Sequence, residues 1–369
     1  DKEGFGHGQG YLYPHAYRDR WVAQAFLPAA LKGRVFYKPT SQGFEATIRA
    51  DVARRRELQL AAMVEEDQSE VLTFSPADSR REQWIRRAER NRSNALSEIR
   101  DAVFARLEIP RHAVCLVYED GPGLFTWEAV RRTPEGHVVG IVPSDSHRRL
   151  AEQYAAELSE AERPEISAGP ISGYAGRYAF ECAVARNVLT REEDKVAVLR
   201  EIHGLLAPAG RLAVAQVVPS EAIRLSELLP TERKNSAGLI ERIAVAESRL
   251  YQNATGPLLG WSSKDIEGFL LEAGFVAVQH TRLTIREPRT IEPADIDRWL
   301  GATGPGTYGG ALRGELDDRE LADAERLIRG RLANQTVTWR TTVVLASARV
   351  DSSTTADATR DPAETSNER

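Results

Sequence analysis

Short apolar runs alternate with amphipathic stretches along most of the 369-residue chain. The first four runs are separated by stretches long enough for crossover helices, and two further runs follow at less regular spacing. The runs are AVCLVY (113–118), HVVGIV (137–142), YAFECAVA (178–185), GRLAVAQVV (210–218), FVAVQHTRLTI (275–285) and TVTWRTTVVLASARV (336–350). Strands that alternate with helices are typical of a doubly wound, mainly parallel sheet. We therefore expect an α/β domain, and an antiparallel final strand would fit the spacing.

Two helical stretches precede this alternation. The segment 44–63 (FEATIRADVARRRELQLAAM) consists of good helix formers with little to break them. The segment 79–107 has apolar residues that can share one stripe, which predicts a long amphipathic helix ended by Pro110. The residues of that stripe are Trp84, Ile85, Ala88, Ile99, Val103 and Leu107.

Composition divides the chain into four parts. Residues 1–62 are rich in glycine, proline and aromatic residues before they turn helical, and 63–79 has the composition of a linker. The α/β pattern covers 80–350, and the polar, acidic stretch 351–369 predicts a disordered tail. The chain starts at Asp1, in the middle of a glycine-rich segment, so we expect it to be the C-terminal piece of a longer protein.

Charge and cysteine content exclude several classes of protein. A net charge of -5 gives no electrostatic argument for a nucleic-acid-binding protein as a whole. Cys115 and Cys182 lie in apolar runs and are expected to be buried, reduced thiols of a cytoplasmic protein. His7 and His15 have no metal-ligand partners at useful spacing, which argues against a metal site. No apolar run approaches the roughly 20 residues of a membrane span.

The stretch YEDGPGLFTWEAVRR (118–132) places a glycine turn between the first apolar run and an amphipathic stretch. That order is typical of a nucleotide-binding unit, because glycines let the backbone approach a ligand and the helix that follows offers free N–H groups. A single Gly-x-Gly turn is weak support for a ligand site, so the rest of the domain must strengthen it.

Two longer segments carry a resemblance to class I S-adenosylmethionine-dependent methyltransferases. In 180–218 an Asn-Val-Leu turn begins at Asn187, and Pro208-Ala209-Gly210 stands in place of the family's Pro-Gly-Gly. The segment 261–279 is similar to the family's late helix with its Ala-Gly-Phe turn. The resemblance covers about residues 80–350 and implies a Rossmann-like, doubly wound methyltransferase-type sheet with S-adenosylmethionine as the cofactor.

Carrying the family's cofactor residues over to the first strand shows a departure from its pattern. The family has an acid two residues before the glycine loop, and Val117 stands there. Glu119 replaces the first glycine of the loop, while Gly121 and Gly123 match the last two. Glu119 could bind the amino group of the methionine moiety, or it could block the pocket or point away from it.

The second strand and the third, which we place in PEISAGPIS (164–172), depart in the same way. Val142 stands where the family places the acid that accepts hydrogen bonds from the ribose, although Asp145 follows and could reach back. Pro170 stands at the position of the acid near the adenine amino group. The predicted cofactor pocket, vestigial by this comparison, consists of Glu119, Gly121, Gly123, Asp145 and Asn187.

No catalytic residue is predicted. The run 178–185 leads into Ala185-Arg186-Asn187-Val188 and not into the Asp/Asn-Pro-Pro-aromatic motif of amino-methylating enzymes, and no Pro-Cys nucleophile is present. Two functions stay open: a degenerate methyltransferase fold used as an accessory or interaction module, or a live methyltransferase with an altered pocket that acts on a small molecule or a protein. A purely structural cap on an oligomer is the third alternative.

Residues 6–57 resemble the extreme C-terminal part of the replication-associated recombination protein A family of AAA-plus ATPases. The matching positions are Tyr11, Tyr13, Pro14, His15, Gln24, Phe26, Leu27, Pro28, Phe36, Tyr37, Pro39, Gly43 and Glu45. The resemblance implies a mainly helical segment that builds a homotetramer. It also implies action at stalled replication forks in recombination and repair, contact with single-stranded-DNA-binding protein and a nucleoid-associated cytoplasmic location. The ATP- and magnesium-binding loop would lie upstream, since these residues contain no Gly-x-x-x-x-Gly-Lys-Ser/Thr motif.

Two basic clusters leave direct DNA contact open. One lies between Arg80 and Arg92 and the other is the run 54–56. Placed cations can bind phosphates, but Glu82, Glu89 and Glu98 are interleaved with the first cluster and favour a solvated face with helical ion pairs.

Overall fold

The computed structural model describes residues 36–40, 42–64, 92–156, 158–176, 178–190, 192–229, 234–252, 257–302, 304 and 306–353. Four parts of the sequence predictions lie outside these residues. They are the motif positions before residue 36, residues 65–79 of the predicted linker, the segment 79–91 of the predicted long helix with most of the first basic cluster, and the tail beyond residue 353.

Within this part of the chain, seven strands form one sheet in the order β3-β2-β1-β4-β5-β7-β6. The strands are β1 (Val114–Glu119), β2 (His137–Val142), β3 (Glu165–Ala168), β4 (Phe180–Arg186), β5 (Leu206–Val217), β6 (Val276–Ile291) and β7 (Gln335–Arg349). The first five are parallel, and β7 lies antiparallel between β5 and β6. The doubly wound α/β fold and the antiparallel final strand predicted from the apolar runs are confirmed.

Helices flank the sheet on both faces. They are α1 (Gly43–Val64), α2 (Arg92–Phe104), α3 (Leu124–Arg132), α4 (Asp145–Ala155), α5 (Lys195–Leu205), α6 (Leu225–Leu228), α7 (Lys234–Gln252), α8 (Asp265–Glu272), α9 (Pro293–Gly301), α10 (Tyr308–Glu315) and α11 (Asp318–Leu332). The helix predicted over 44–63 is confirmed by α1. The described part of the second predicted helix is α2, which ends at Phe104, before Pro110. None of the described helices is both long and apolar enough to cross a membrane.

Each face of the sheet buries its own apolar core. Helices α5 and α8 cover one face, where Leu199 and Ile266 are fully buried. Helices α1, α2 and α3 cover the other, and Leu58 of α1 lies in the same cluster as Val103 and Phe125. The last helix of the N-terminal segment therefore packs into the core of the α/β domain. The sequence-based domain limits remain predictions.

A helical lobe extends the far end of the sheet, and the sequence pattern did not predict it. Strands β6 and β7 run on past their neighbours, and α9, α10 and α11 are inserted between them. These helices pack with α6 and α7 around buried aromatic residues. The rings of Trp299 and Trp339 stack with centroids 6.3 Å apart, and the Arg289 guanidinium lies 4.3 Å from the ring centre of Trp339.

The outer strands of the sheet resist pairing with another chain. Strand β3 is only four residues long. Strand β6 is long, but Arg282, Arg286 and Pro288 lie exposed on one of its faces. Short strands, charges and proline are the devices that block edge-to-edge association.

The two cysteines face each other inside the sheet. Cys115 of β1 is the register partner of Cys182 of β4, and both are free and buried. The prediction that both thiols are buried is confirmed.

Close packing of α3 on β2 depends on a residue without a side chain. A Cβ atom on Gly140 of β2 would lie 2.8 Å from Oγ1 of Thr126, in the first turn of α3. The Thr126 hydroxyl is itself buried and donates a hydrogen bond to Glu119. The hydroxyl therefore cannot move aside without breaking a buried hydrogen bond.

Gly140→Ala is expected to lower the free energy of unfolding by about 1–3 kcal/mol, the usual cost of overpacking a core. The matched control is Gly330→Ala, in the exposed interior of α11, where an added Cβ meets no atom within 4 Å. That change should raise stability by about 0.5–1 kcal/mol, because alanine favours the helix. Equilibrium urea unfolding measures both. A Gly140→Ala protein as stable as the parent would contradict the packing argument.

Candidate functional site

Most of the predicted site residues lie at the carboxyl edge of the sheet, where β1 and β4 are neighbours. The chain leaves β1 toward β2 on one side and enters β4 on the other, so the strand order reverses between them. Ligands of open α/β sheets bind in the crevice at such a reversal. Glu119 is the last residue of β1, Gly121 and Gly123 follow that strand, and Asn187 follows β4.

Glu119 is turned onto the N-terminus of α3. Its carboxylate is completely buried and accepts hydrogen bonds at 3.0–3.1 Å from the backbone N–H groups of Phe125 and Thr126. It also accepts one from the Thr126 hydroxyl at 2.9 Å. Gly123, the residue before the helix, has no side chain to cap these N–H groups. A strand residue thus supplies the negative charge that a helix N-terminus favours.

Arg186 is the positive partner of this carboxylate, and the sequence reading missed it. It is the register partner of Glu119 across β1 and β4 and is only 2% exposed. Burial raises the pKa of Glu119, and the charge of Arg186 opposes that rise. The guanidinium lies 5.4 Å from the ring centre of Phe125. The sequence offered one signal for this residue: Arg186 is a charged residue that directly follows the apolar run 178–185.

The glycine turn itself is closed. Gly121 and Gly123 are buried, and the N–H of Asp120 donates to the backbone oxygen of Arg186 at 3.0 Å. Gly123 has a φ of 109°, which a side chain would strain. A Cβ there would lie 3.0 Å from Nε1 of Trp127, so the indole packs directly on the turn.

Asn187 joins the ends of β4 and β5. It has a φ of 53°, its N–H donates to Ala215 O at 3.0 Å, and its Oδ1 accepts from the N–H of Val217 at 2.9 Å. Gln216 is fully buried beside it and accepts from the N–H of Leu189 at 3.0 Å. The polar side chains at this edge are engaged by the backbone of the sheet.

Asp145 is placed differently from the other four predicted residues. It is the first residue of α4 and is exposed, and its carboxylate pairs with Arg148 on the same helix at 2.9 Å. Val142, at the end of β2, is fully buried in the sheet. Pro170 lies exposed after β3, before a short 3-10 helix. The three acid positions of the family are thus occupied by two buried apolar residues in the sheet, Val117 and Val142, and by one exposed proline.

A lysine that the sequence reading did not single out lies at the same edge. The Lys195 ammonium donates to the backbone oxygens of Glu192 and Pro257, both at 2.8 Å, and lies 5.4 Å from the ring centre of Trp261. Burial lowers its pKa to about 8. These contacts fasten the start of α5 to the segment before α8.

The described residues include no group of three or more His, Cys, Asp or Glu side chains placed to bind a metal ion.

In the N-terminal segment, two of the quoted motif positions contact each other. Glu45 accepts hydrogen bonds from the Tyr37 hydroxyl at 3.1 Å and from the N–H of Thr40 at 2.8 Å. Of the basic run 54–56, Arg56 donates to Tyr37 O and Arg55 pairs with Asp51 at 3.0 Å. Glu45 thus holds residues 36–40 against the start of α1.

Among solved structures, the chain is similar to several with low identity. The YcgJ protein from Bacillus subtilis has 13% identity and a TM-score of 0.42, over 69% of this chain and 99% of that one. A protein from Galdieria sulphuraria described as a putative sarcosine dimethylglycine methyltransferase has 14% identity and a TM-score of 0.41, over 82% of this chain and 99% of that one. Phosphoethanolamine N-methyltransferase 2 from Haemonchus contortus, solved with S-adenosyl-L-methionine, has 11% identity and a TM-score of 0.38, over 69% and 52%. At these TM-scores the likeness carries no conclusion, and the fold rests on the strand order and register.

The N-terminal segment has a match in sequence. Residues 1–56 match the model of the family described as MgsA AAA+ ATPase C terminal. Replication-associated recombination protein A from Bacillus subtilis (strain 168) is 44% identical over 45 residues, which are 12% of this chain and 11% of that protein. The match therefore spans about a tenth of that relative's length. The resemblance read from the motif residues is confirmed: the chain begins with a segment similar to the C-terminal end of this group of AAA+ ATPases.

Proposed function

We propose that this chain is the C-terminal portion of an AAA+ ATPase associated with replication and recombination, and that its α/β domain is an accessory or interaction module. The accessory role is supported by one observation: the buried carboxylate of Glu119 accepts hydrogen bonds from the N–H groups at the start of α3. Those groups form the anion-binding end of a helix that follows a glycine turn.

The first half rests on the match over residues 1–56. By that similarity the whole protein hydrolyses ATP with an upstream module and assembles into a homotetramer. It would act in DNA repair at replication forks together with single-stranded-DNA-binding protein, in the cytoplasm near the nucleoid. Direct DNA contact by the two basic clusters stays an open alternative and is not part of this proposal. The Arg55 and Arg56 side chains already have internal partners.

The second half rests on the residues that would meet S-adenosylmethionine. They do not fit the cofactor, because Val117 and Val142 are buried apolar side chains and Pro170 carries no acceptor. Burying a cofactor hydroxyl or amino group without a hydrogen-bond acceptor weakens the binding free energy by about 1–3 kcal/mol. The buried Glu119 side chain supplies acceptors, but the start of α3 uses them.

One observation favours the alternative of an active methyltransferase with an altered pocket. Asp145 lies just beyond β2, and its ion pair with Arg148 is largely exposed. Exposed pairs contribute little stability, so this carboxylate could turn toward a ribose without much cost. A third outcome is a structural cap that sets the oligomeric state without binding any cofactor.

Isothermal titration of the chain with S-adenosylmethionine is expected to give no saturable heat up to about 1 mM, which corresponds to less than about 4 kcal/mol of binding. A dissociation constant in the micromolar range would overturn the accessory-module proposal. If binding is found, repeating the titration with Asp145→Ala tests whether Asp145 contributes to the pocket. Binding that is lost in this variant would establish the altered-pocket alternative.

The proposal makes Glu119 a structural residue, so its removal should affect stability. Glu119→Ala is expected to lower the free energy of unfolding by about 3–5 kcal/mol, because it removes the buried charge that faces Arg186 and the acceptor of the Phe125 and Thr126 N–H groups. Replacing both residues, with Arg186→Met as the second change, should cost less than the sum of the single changes.

The control is Asp145→Ala, an acid from the same predicted pocket, which should change stability by less than about 1 kcal/mol. Equal losses from Glu119→Ala and Asp145→Ala in urea unfolding would show that Glu119 does not hold the turn.

A further inference from the structure

A buried ionic contact fastens α1 to the α/β domain. Glu57 of α1 is 2% exposed, and its two carboxylate oxygens accept hydrogen bonds from Nη1 of Arg131 at 2.5 and 2.6 Å. The Tyr154 hydroxyl of α4 donates to the same carboxylate at 2.9 Å. Glu57 immediately follows the segment 1–56 that matches the ATPase family.

Glu57 contacts a larger network of the α/β domain that we call the α1 seat, formed by Arg100, Glu128, Arg131, Arg132 and Tyr154, in which Arg100 lies 3.9 Å from Glu128. Arg131 also donates to Glu128 at 2.8 Å, and Glu128 accepts from Arg132 at 2.9 Å. Burial raises the pKa of Glu57, which the charge of Arg131 opposes. Removing one partner of such a pair leaves an uncompensated charge in the core, so the docked arrangement is strongly favoured over a partly broken one.

The α1 seat is in contact with the glycine turn through two aromatic side chains. The ring of Tyr154 packs on Trp127 with centroids 4.7 Å apart. Trp127 is 3% exposed and packs directly on Gly123. A continuous set of contacts therefore runs from Glu57 through Tyr154 and Trp127 to the turn between β1 and α3.

We propose that docking of α1 and closure of the glycine turn are thermodynamically linked. While Glu57 occupies the seat, it orients the Tyr154 hydroxyl, the Tyr154 ring fixes Trp127, and Trp127 holds the turn closed over Gly123. When α1 leaves the seat, the turn opens more often. Because linkage is reciprocal, a ligand that opens the turn would also weaken the docking of α1.

The proposal has a consequence that rests on the proposed function. If residues 1–56 form the C-terminal end of an ATPase module, a conformational change in that module that displaces α1 changes the crevice between β1 and β4. The linkage itself is a property of this chain and can be measured without nucleotide or S-adenosylmethionine. Failure of the linkage is thus distinguishable from failure of the proposed function, which the titration tests separately.

Hydrogen exchange of the full chain, followed by mass spectrometry, tests the linkage. In Glu57→Gln the amides of 121–127 should exchange at least about tenfold faster than in the parent, the factor that about 1.4 kcal/mol of lost docking energy gives. Amides of β5 should exchange as in the parent, which separates local opening from global unfolding. Tyr154→Phe keeps the ring on Trp127 but removes the hydroxyl, so a smaller acceleration is expected.

The matched control is Asp51→Asn on the same helix. Asp51 is exposed and pairs only with Arg55 among the ion pairs of the described residues, so its loss removes a carboxylate from α1 without touching the seat. This variant should exchange like the parent at 121–127. Faster exchange in α1 together with parental exchange at 121–127 in Glu57→Gln would overturn the linkage. If Glu57→Gln does not fold, Tyr154→Phe decides by the same comparison.

Discussion

The first N–H groups of a helix have no partners inside that helix, and when they are buried the protein must satisfy them by other means. At the start of α3 the Glu119 carboxylate does so. The surrounding features follow from this contact: Thr126 is close enough to donate because Gly140 has no side chain, and Arg186 balances the charge from the neighbouring strand. A set of N–H groups that is satisfied internally is not free to bind an external anion, so structural and cofactor roles compete for the same atoms.

The central fold was predictable because apolar runs and their spacing are local signals. Each run that predicted a strand falls on one, and β7 is antiparallel as its irregular spacing suggested. The helical lobe was not predictable in the same way. The pattern of α9, α10 and α11 indicates amphipathic helices, but it does not indicate that they pack around Trp299 and Trp339 and not against the sheet. Which core a helix joins depends on contacts distant in the sequence.

The place of the candidate residues in the fold could be predicted, but not their contacts with one another. The carboxyl ends of β1 and β4 had to meet once the strands were parallel, so the glycines and Asn187 were placed together by topology. The partner of Glu119 was not predictable, because Arg186 comes 67 positions later and becomes its neighbour only through the strand register. Glu57 follows an arginine run that looks like a solvated helix face, and its partner Arg131 is 74 residues away. Ion pairs between distant segments leave no periodic trace in a sequence.

The two outer strands have a consequence for any assembly that contains this domain. Tethering several copies raises their local concentration, commonly to the millimolar range, at which exposed strand edges would associate. Strand β3 offers only four residues, and β6 presents Arg282, Arg286 and Pro288. Such edges would allow many copies of the domain to be held side by side without growing into a continuous intermolecular sheet.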